Sequence, residues 1–179
     1  MLTEVLEDRR NLERLCGCSV RGMSYPMGTY NEDVLTALRA SGIVYSRTVE
    51  ATRNFALPQD FLRWHPTAHQ SHGILELADQ FLGRNHPLDL FYLWGHSFEY
   101  DRESAPATWN LIEEFCEKMS GNDAIWYATN IEIYDYVMAQ RSLYFSVDKD
   151  RVTNPSALSV WLLADGVPVE IPGGTTKTL

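Results

Sequence analysis

The groups best suited to chemistry in this chain stand at the end of one apolar run. Residues 89–101 read DLFYLWGHSFEYD. Leu90, Phe91, Tyr92, Leu93 and Trp94 have the length and composition of a strand buried on both faces. After Gly95 the chain turns polar, through His96, Ser97, Glu99 and Asp101. An imidazole titrates near neutrality and can give or take a proton at physiological pH. A strand that releases a histidine and carboxylates where its core ends matches the C-terminal rim of an α/β sheet or barrel, where catalytic groups collect. The plainer reading is a histidine capping an ordinary strand-to-loop turn.

Three further groups bear on chemistry. In Trp64-His65-Pro66-Thr67-Ala68-His69 two histidines stand four apart. On a helix they would share a face and could clamp a metal, and Pro66 suits a first helical turn. A third ligand would have to be His72, His96 or Glu99, and nothing in the linear order brings these together. Trp64 and Phe61 either line a cleft or fill core. Arg21 is the one charge in an apolar strand over residues 19–25. A guanidinium there needs a carboxylate partner or an edge position in solvent. Cys16-Gly17-Cys18 is either a redox or metal pair or a helix-end turn with reduced thiols. With Cys116 the cysteine count is three, odd and without zinc-ribbon spacing.

The 179 residues, 45% hydrophobic, are enough for one domain with a sizeable core. A net charge of -9 argues against nucleic acid and anionic membrane as partners. Residues 1–14 are polar and charged, unlike a signal peptide, and no long apolar run suggests a membrane span. As given, the chain is expected to be soluble and cytoplasmic.

The elements that must position these groups alternate. Residues 3–15 carry Val5, Leu6, Leu12 and Leu15 at helical spacing. A strand over 19–25 stops at Pro26-Met27-Gly28. Asn31 caps a helix that runs to Gly42, with Glu32 and Asp33 in its first turn. A strand over 43–49 follows, then an irregular stretch over 50–70 of a length that is usually functional. A helix over 72–82 leads to the strand of residues 90–94. The helix over 107–119 places Trp109, Ile112, Phe115 and Cys116 inward. A strand over 124–128 and a helix over 130–140, opened by a Thr129-to-Glu132 capping box, complete the alternation. Residues 142–179 are short antiparallel strands with a hairpin at Asp165-Gly166. The expected organisation is an α/β domain over 1–141 and a β appendage over 142–179. About four parallel strands are half of a closed barrel, so an open sheet edge is expected, which a homo-oligomer could cover.

Together, residues 21–49, Trp64-His65-Pro66, residues 90–101 and IWYATNIEIYDYV resemble the polysaccharide deacetylases of the NodB-homology type. The resemblance covers residues 1–140 in order and spacing. It implies a distorted β/α-barrel and a divalent metal, usually zinc, that helps remove acetyl groups from N-acetylated sugars. By the same resemblance Arg21 would orient a catalytic aspartate, and Pro26 and Gly28 would form the substrate-side turn. Trp64 would line the groove, and His96 would be the general acid toward the leaving amine. The family's paired aspartates and His-x3-His motif, which supply the base and the metal ligands, do not occur before Arg21. His65-x3-His69 comes too late in the order to be that motif. The chain is therefore expected to be the C-terminal two-thirds of such a hydrolase, an incomplete barrel, inactive until the remaining strands are supplied. The alternative is a non-catalytic carbohydrate-binding remnant in which Tyr25, Trp64 and Trp94 stack on sugar. A third reading is a metal protein built on His65, His69 and His96.

Overall fold

The computed structural model describes residues 1–102 and 106–179, grouped in two compact units, Met1–Trp126 and Tyr127–Leu179. The helix that opens at the Thr129 capping box groups with the strands that follow it.

In the first unit, strands β1 (Gly22–Ser24) and β2 (Tyr45–Arg47) pair in parallel, Gly22 opposite Tyr45. Strands β3 (Ala68–His69) and β4 (Leu93–Trp94) do the same, with His69 opposite Trp94. Between the two pairs lies a parallel bridge from Arg47 to Trp64. The Trp64 N–H donates to the Ser46 carbonyl at 3.1 Å, and the Thr48 N–H donates to the Trp64 carbonyl at 3.0 Å. Four parallel segments thus lie side by side in chain order as an open arc, and no closed barrel forms among the described residues. Because all four run the same way, the ends of β2, β3 and β4 share one rim.

The fourth member of this arc is not the one expected. Residues 124–128 form no strand, and Trp126 and Tyr127 are each 57% exposed. The strand comes instead from residues 64–69, inside the stretch expected to be irregular. Pro66 offers no N–H, but the Thr67 and Gln70 N–H groups donate to the Tyr92 and Trp94 carbonyls, both at 2.9 Å. With β2 on one side and β4 on the other, this segment carries fully buried Trp64 and Ala68.

Helices α1 (Leu2–Cys16), α2 (Glu32–Ala40), α3 (Ile74–Leu82) and α4 (Trp109–Met119) accompany the arc. Asn31 caps α2, its side-chain oxygen accepting from the Val34 N–H at 2.9 Å, and Leu35 and Leu38 face inward. They pack with Tyr25, Ile43 and Leu62 in one core. Ile74, Leu77 and Ala78 of α3 pack with Phe55, Ala68, Phe115 and Met119 in another. On α4 the inward stripe is Ile112, Phe115 and Met119, so Trp109 and Cys116, expected inside, are exposed. The Trp109 indole N–H donates to Asp101 instead, at 2.8 Å. No residue of α1 is buried, and Val5 is its contact with the core.

The second unit opens with α5 (Asn130–Arg141), held by the Thr129–Glu132 capping box. Strands β5 (Tyr144–Phe145), β6 (Arg151–Thr153) and β9 (Thr176–Thr178) form an antiparallel sheet, and β7 (Val160–Ala164) and β8 (Val167–Ile171) a hairpin. Its two turn residues, Asp165 and Gly166, have φ of 50° and 81°, the positive pair that a primed hairpin turn requires. Val152, Val160 and Ile171 are fully buried, and so is Asn154, whose amide donates to the Leu158 and Ile171 carbonyls. No helix among the described residues is long and apolar enough to cross a membrane.

Candidate functional site

The parallel register carries His69 to the end of β3, opposite Trp94 at the end of β4. Beyond Gly95 the chain enters a short 3-10 turn, Ser97–Glu99, which swings Glu99 back toward His69. Glu99 then gathers three groups. Its Oε2 lies 3.1 Å from His69 Nε2 and accepts from Gln70 Nε2 at 2.8 Å. Its Oε1 lies 3.1 Å from His96 Nδ1. Gln70 is buried, and the same amide nitrogen donates to the His96 carbonyl at 2.9 Å. His69 Nδ1 in turn meets Ser71 Oγ at 2.8 Å. The Trp94 ring forms the wall of the site, with His69 at 4.6 Å and the Arg47 guanidinium at 4.3 Å from its centre.

The electrostatics follow from burial and neighbours. Desolvation lowers the proton affinity of His69, and the nearby Arg47 guanidinium lowers it further, against the pull of Glu99. Burial works against ionising Glu99, but the hydrogen bond from His96, the charge of His69 and the Gln70 amide together hold it below the usual carboxylate range. With Glu99 ionised, a proton on His96 Nδ1 points at its carboxylate and Nε2 is left for a substrate. The His96 side chain is 48% exposed, against 15% for His69 and 21% for Glu99, so His96 is the accessible member. A carboxylate-oriented imidazole of this kind can act as a general acid or base.

Gly95 is part of this geometry. A Cβ there would lie 1.9 Å from Gln70 Oε1, within the space its amide occupies. Gly95→Ala is expected to push that amide off Glu99 and destabilise the first unit by about 1.5–3 kcal/mol, the range for a hydrogen bond to a charged group. In a Gln70→Ala background the same change should cost little. Equal destabilisation by Gly95→Ala in both backgrounds, measured by denaturant unfolding, would show that Gln70 is not what the glycine accommodates.

The other expected residues are scattered. Trp64 is fully buried, its ring centre 5.0 Å from that of Phe61 and 4.9 Å from that of Tyr92, so it fills core rather than lining a groove. Tyr25 is 3% exposed, and its hydroxyl donates to the Leu62 carbonyl at 2.6 Å, so it cannot stack on a sugar either. Pro26 and Gly28 lie in a 3-10 turn after β1, where Gly28 has φ of 74° and lies close to Val49. Arg21 precedes β1, at the end of the parallel strands away from His96, and its carbonyl accepts from the Val44 N–H. His65 and His69 share no helix. In an extended segment, residues four apart are about 13 Å apart. His65 Nδ1 bonds Thr48 Oγ1 at 2.7 Å instead. Of the metal set His65, His69 and His96, the structure brings His69 and His96 together at Glu99 and leaves His65 outside that cluster. Cys16 and Cys18 place their sulfurs 3.3 Å apart, both exposed and free.

Arg47 and Gln70 were not singled out from the sequence. Their signal is positional, since each stands at or just past the end of a strand in the arc, but it is visible only once residues 64–69 are known to be one of those strands. No family model, no curated protein and no solved structure matches this chain.

Proposed function

We propose that this chain carries the proton-delivery side of a polysaccharide deacetylase-like hydrolase, acting on the N-acetyl amide of a carbohydrate. The observation that carries the reading is the pairing of His96 Nδ1 with Glu99 at the rim where the parallel segments end. Amide hydrolysis needs a proton for the departing nitrogen. An imidazolium held by a carboxylate and open at Nε2 is a suitable donor. Exposed Phe98, its ring centre 5.1 Å from that of His96, offers an apolar edge for a sugar ring beside the donor. The carbohydrate-binding alternative draws less support, because two of its three proposed stacking aromatics, Tyr25 and Trp64, are buried. The test is acetate release from an N-acetylated sugar oligomer, measured with the chain joined to strands bearing the paired aspartates and the His-x3-His motif. Release that depends on His96 upholds the reading, and release indifferent to His96 ends it.

A further inference from the structure

We propose that His69, Glu99 and His96 form a three-ligand site for a divalent cation of the zinc class, with its remaining coordination position open to solvent. One ligand atom from each residue lies within 4.8 Å of the other two. In a tetrahedral zinc site with bonds of about 2.0–2.2 Å, ligand atoms stand about 3.3 Å apart. Glu99 Oε2 lies 3.1 Å from His69 Nε2 and its Oε1 lies 3.1 Å from His96 Nδ1, so each imidazole already stands near that spacing from one of the two carboxylate oxygens. Two nitrogens and one carboxylate oxygen are a donor set that zinc accepts, and three protein ligands with one open position are the pattern of a reactive rather than a purely structural site.

The surroundings are those of a supported ligand set. Ser71 Oγ holds the far nitrogen of His69, and the Gln70 amide holds Glu99, the kind of outer contacts that fix ligand orientation. His69 is itself paired with Trp94 in the β3–β4 register, and Glu99 lies in the short turn that follows β4, so folding positions them before any ion arrives. The opposing charge is Arg47, which is drawn onto the Trp94 ring. This ligand set is distinct from the paired aspartates and His-x3-His that the deacetylase resemblance implies. It also takes up the nitrogen and the carboxylate that orient His96 as an acid. Ion binding and proton delivery by His96 therefore exclude one another, and added cation would quench the proton donor.

The experiment reads binding, not turnover, so its outcome is independent of the hydrolase reading. The metal-free chain in a Cys16→Ser, Cys18→Ser background, which removes the thiol pair as a competing ligand set, is titrated with cobalt(II) and, by calorimetry, with zinc(II). One ion per chain with four-coordinate cobalt absorption is expected. His69→Ala and Glu99→Gln should each weaken binding by more than about 100-fold, because even loss of an outer partner costs about 10–100-fold. Ser71→Ala should fall within that outer range, and His65→Ala should bind as the parent does. Circular dichroism of each variant checks that the fold persists. Absence of stoichiometric binding by the folded parent, or binding unchanged in both His69→Ala and Glu99→Gln, would overturn the site.

Discussion

Alanine at His96 is expected to lower acetate release from an N-acetylated sugar oligomer by about 100- to 10,000-fold, the range that general acid–base catalysis contributes. The loss should appear in kcat, because the proton is needed in the step that expels the amine and not in binding the sugar. The fold should persist. His96 is the most exposed of the three clustered side chains and packs in neither core cluster, so truncation removes one hydrogen bond to Glu99 and little apolar contact. Glu99→Gln separates two roles that His96→Ala merges. If Glu99 only orients the ring, the glutamine variant should lose less than the alanine variant. Unchanged turnover in His96→Ala, measured with the metal-bearing strands supplied, would exclude the proposed acid.

Trp64→Ala is expected to destabilise the first unit by about 3–5 kcal/mol, the usual range for a buried aromatic cut to alanine. Against a total stability of about 5–15 kcal/mol, that is enough to unfold a marginal domain. The ring is fully buried and makes edge contacts with Tyr45 and Phe61, and its backbone is the bridge between the two strand pairs. Trp64→Phe should lose less. It keeps an aromatic in the cavity and removes an indole N–H that is buried without a partner. Chemical unfolding of the three proteins is the measurement. If Trp64→Ala melted like the parent and instead weakened sugar binding, the residue would belong to a groove and not to the core.

Much of this architecture is legible in local chemistry. Asn31 before Glu32 and Asp33, Thr129 three residues before Glu132, and Asp165-Gly166 between apolar runs each announce a cap or a turn, and each forms where expected. Those signals act over a few residues, so the linear order contains them. The apolar run that delivers His96 likewise reaches the rim of a parallel arc, although its regular strand is only Leu93–Trp94. What the linear order conceals is non-local. Residues 64–69 have no clean period, because Pro66 interrupts them and polar Thr67 and His69 sit among the apolar positions. Their strand character comes from neighbours on both sides. The reverse holds at residues 124–128, whose composition suits a strand but which take no regular strand conformation. Residue type also leaves burial undetermined. Trp64 and Trp94 are the same side chain, yet one is sealed in the core and the other walls the histidine cluster. The approach of Glu99 to His69 needs the register of β3 against β4 and the turn after Gly95 together, so neither segment alone displays it.

The two kinds of strand pairing set different entropic barriers to forming the native chain. Gly22 must find Tyr45, and Ala68 must find Leu93, each across an intervening helix, before the arc gains any ladder bond. Ala164 meets Val167 across two turn residues already suited to reversal. Closing a long segment loses more chain freedom before contacts reward it, so non-local pairings are reached slowly and hairpins quickly. The β7–β8 amides should therefore gain protection early in refolding, while those of the histidine-bearing arc lag. The segment that assembles the chemistry would be the last to become competent.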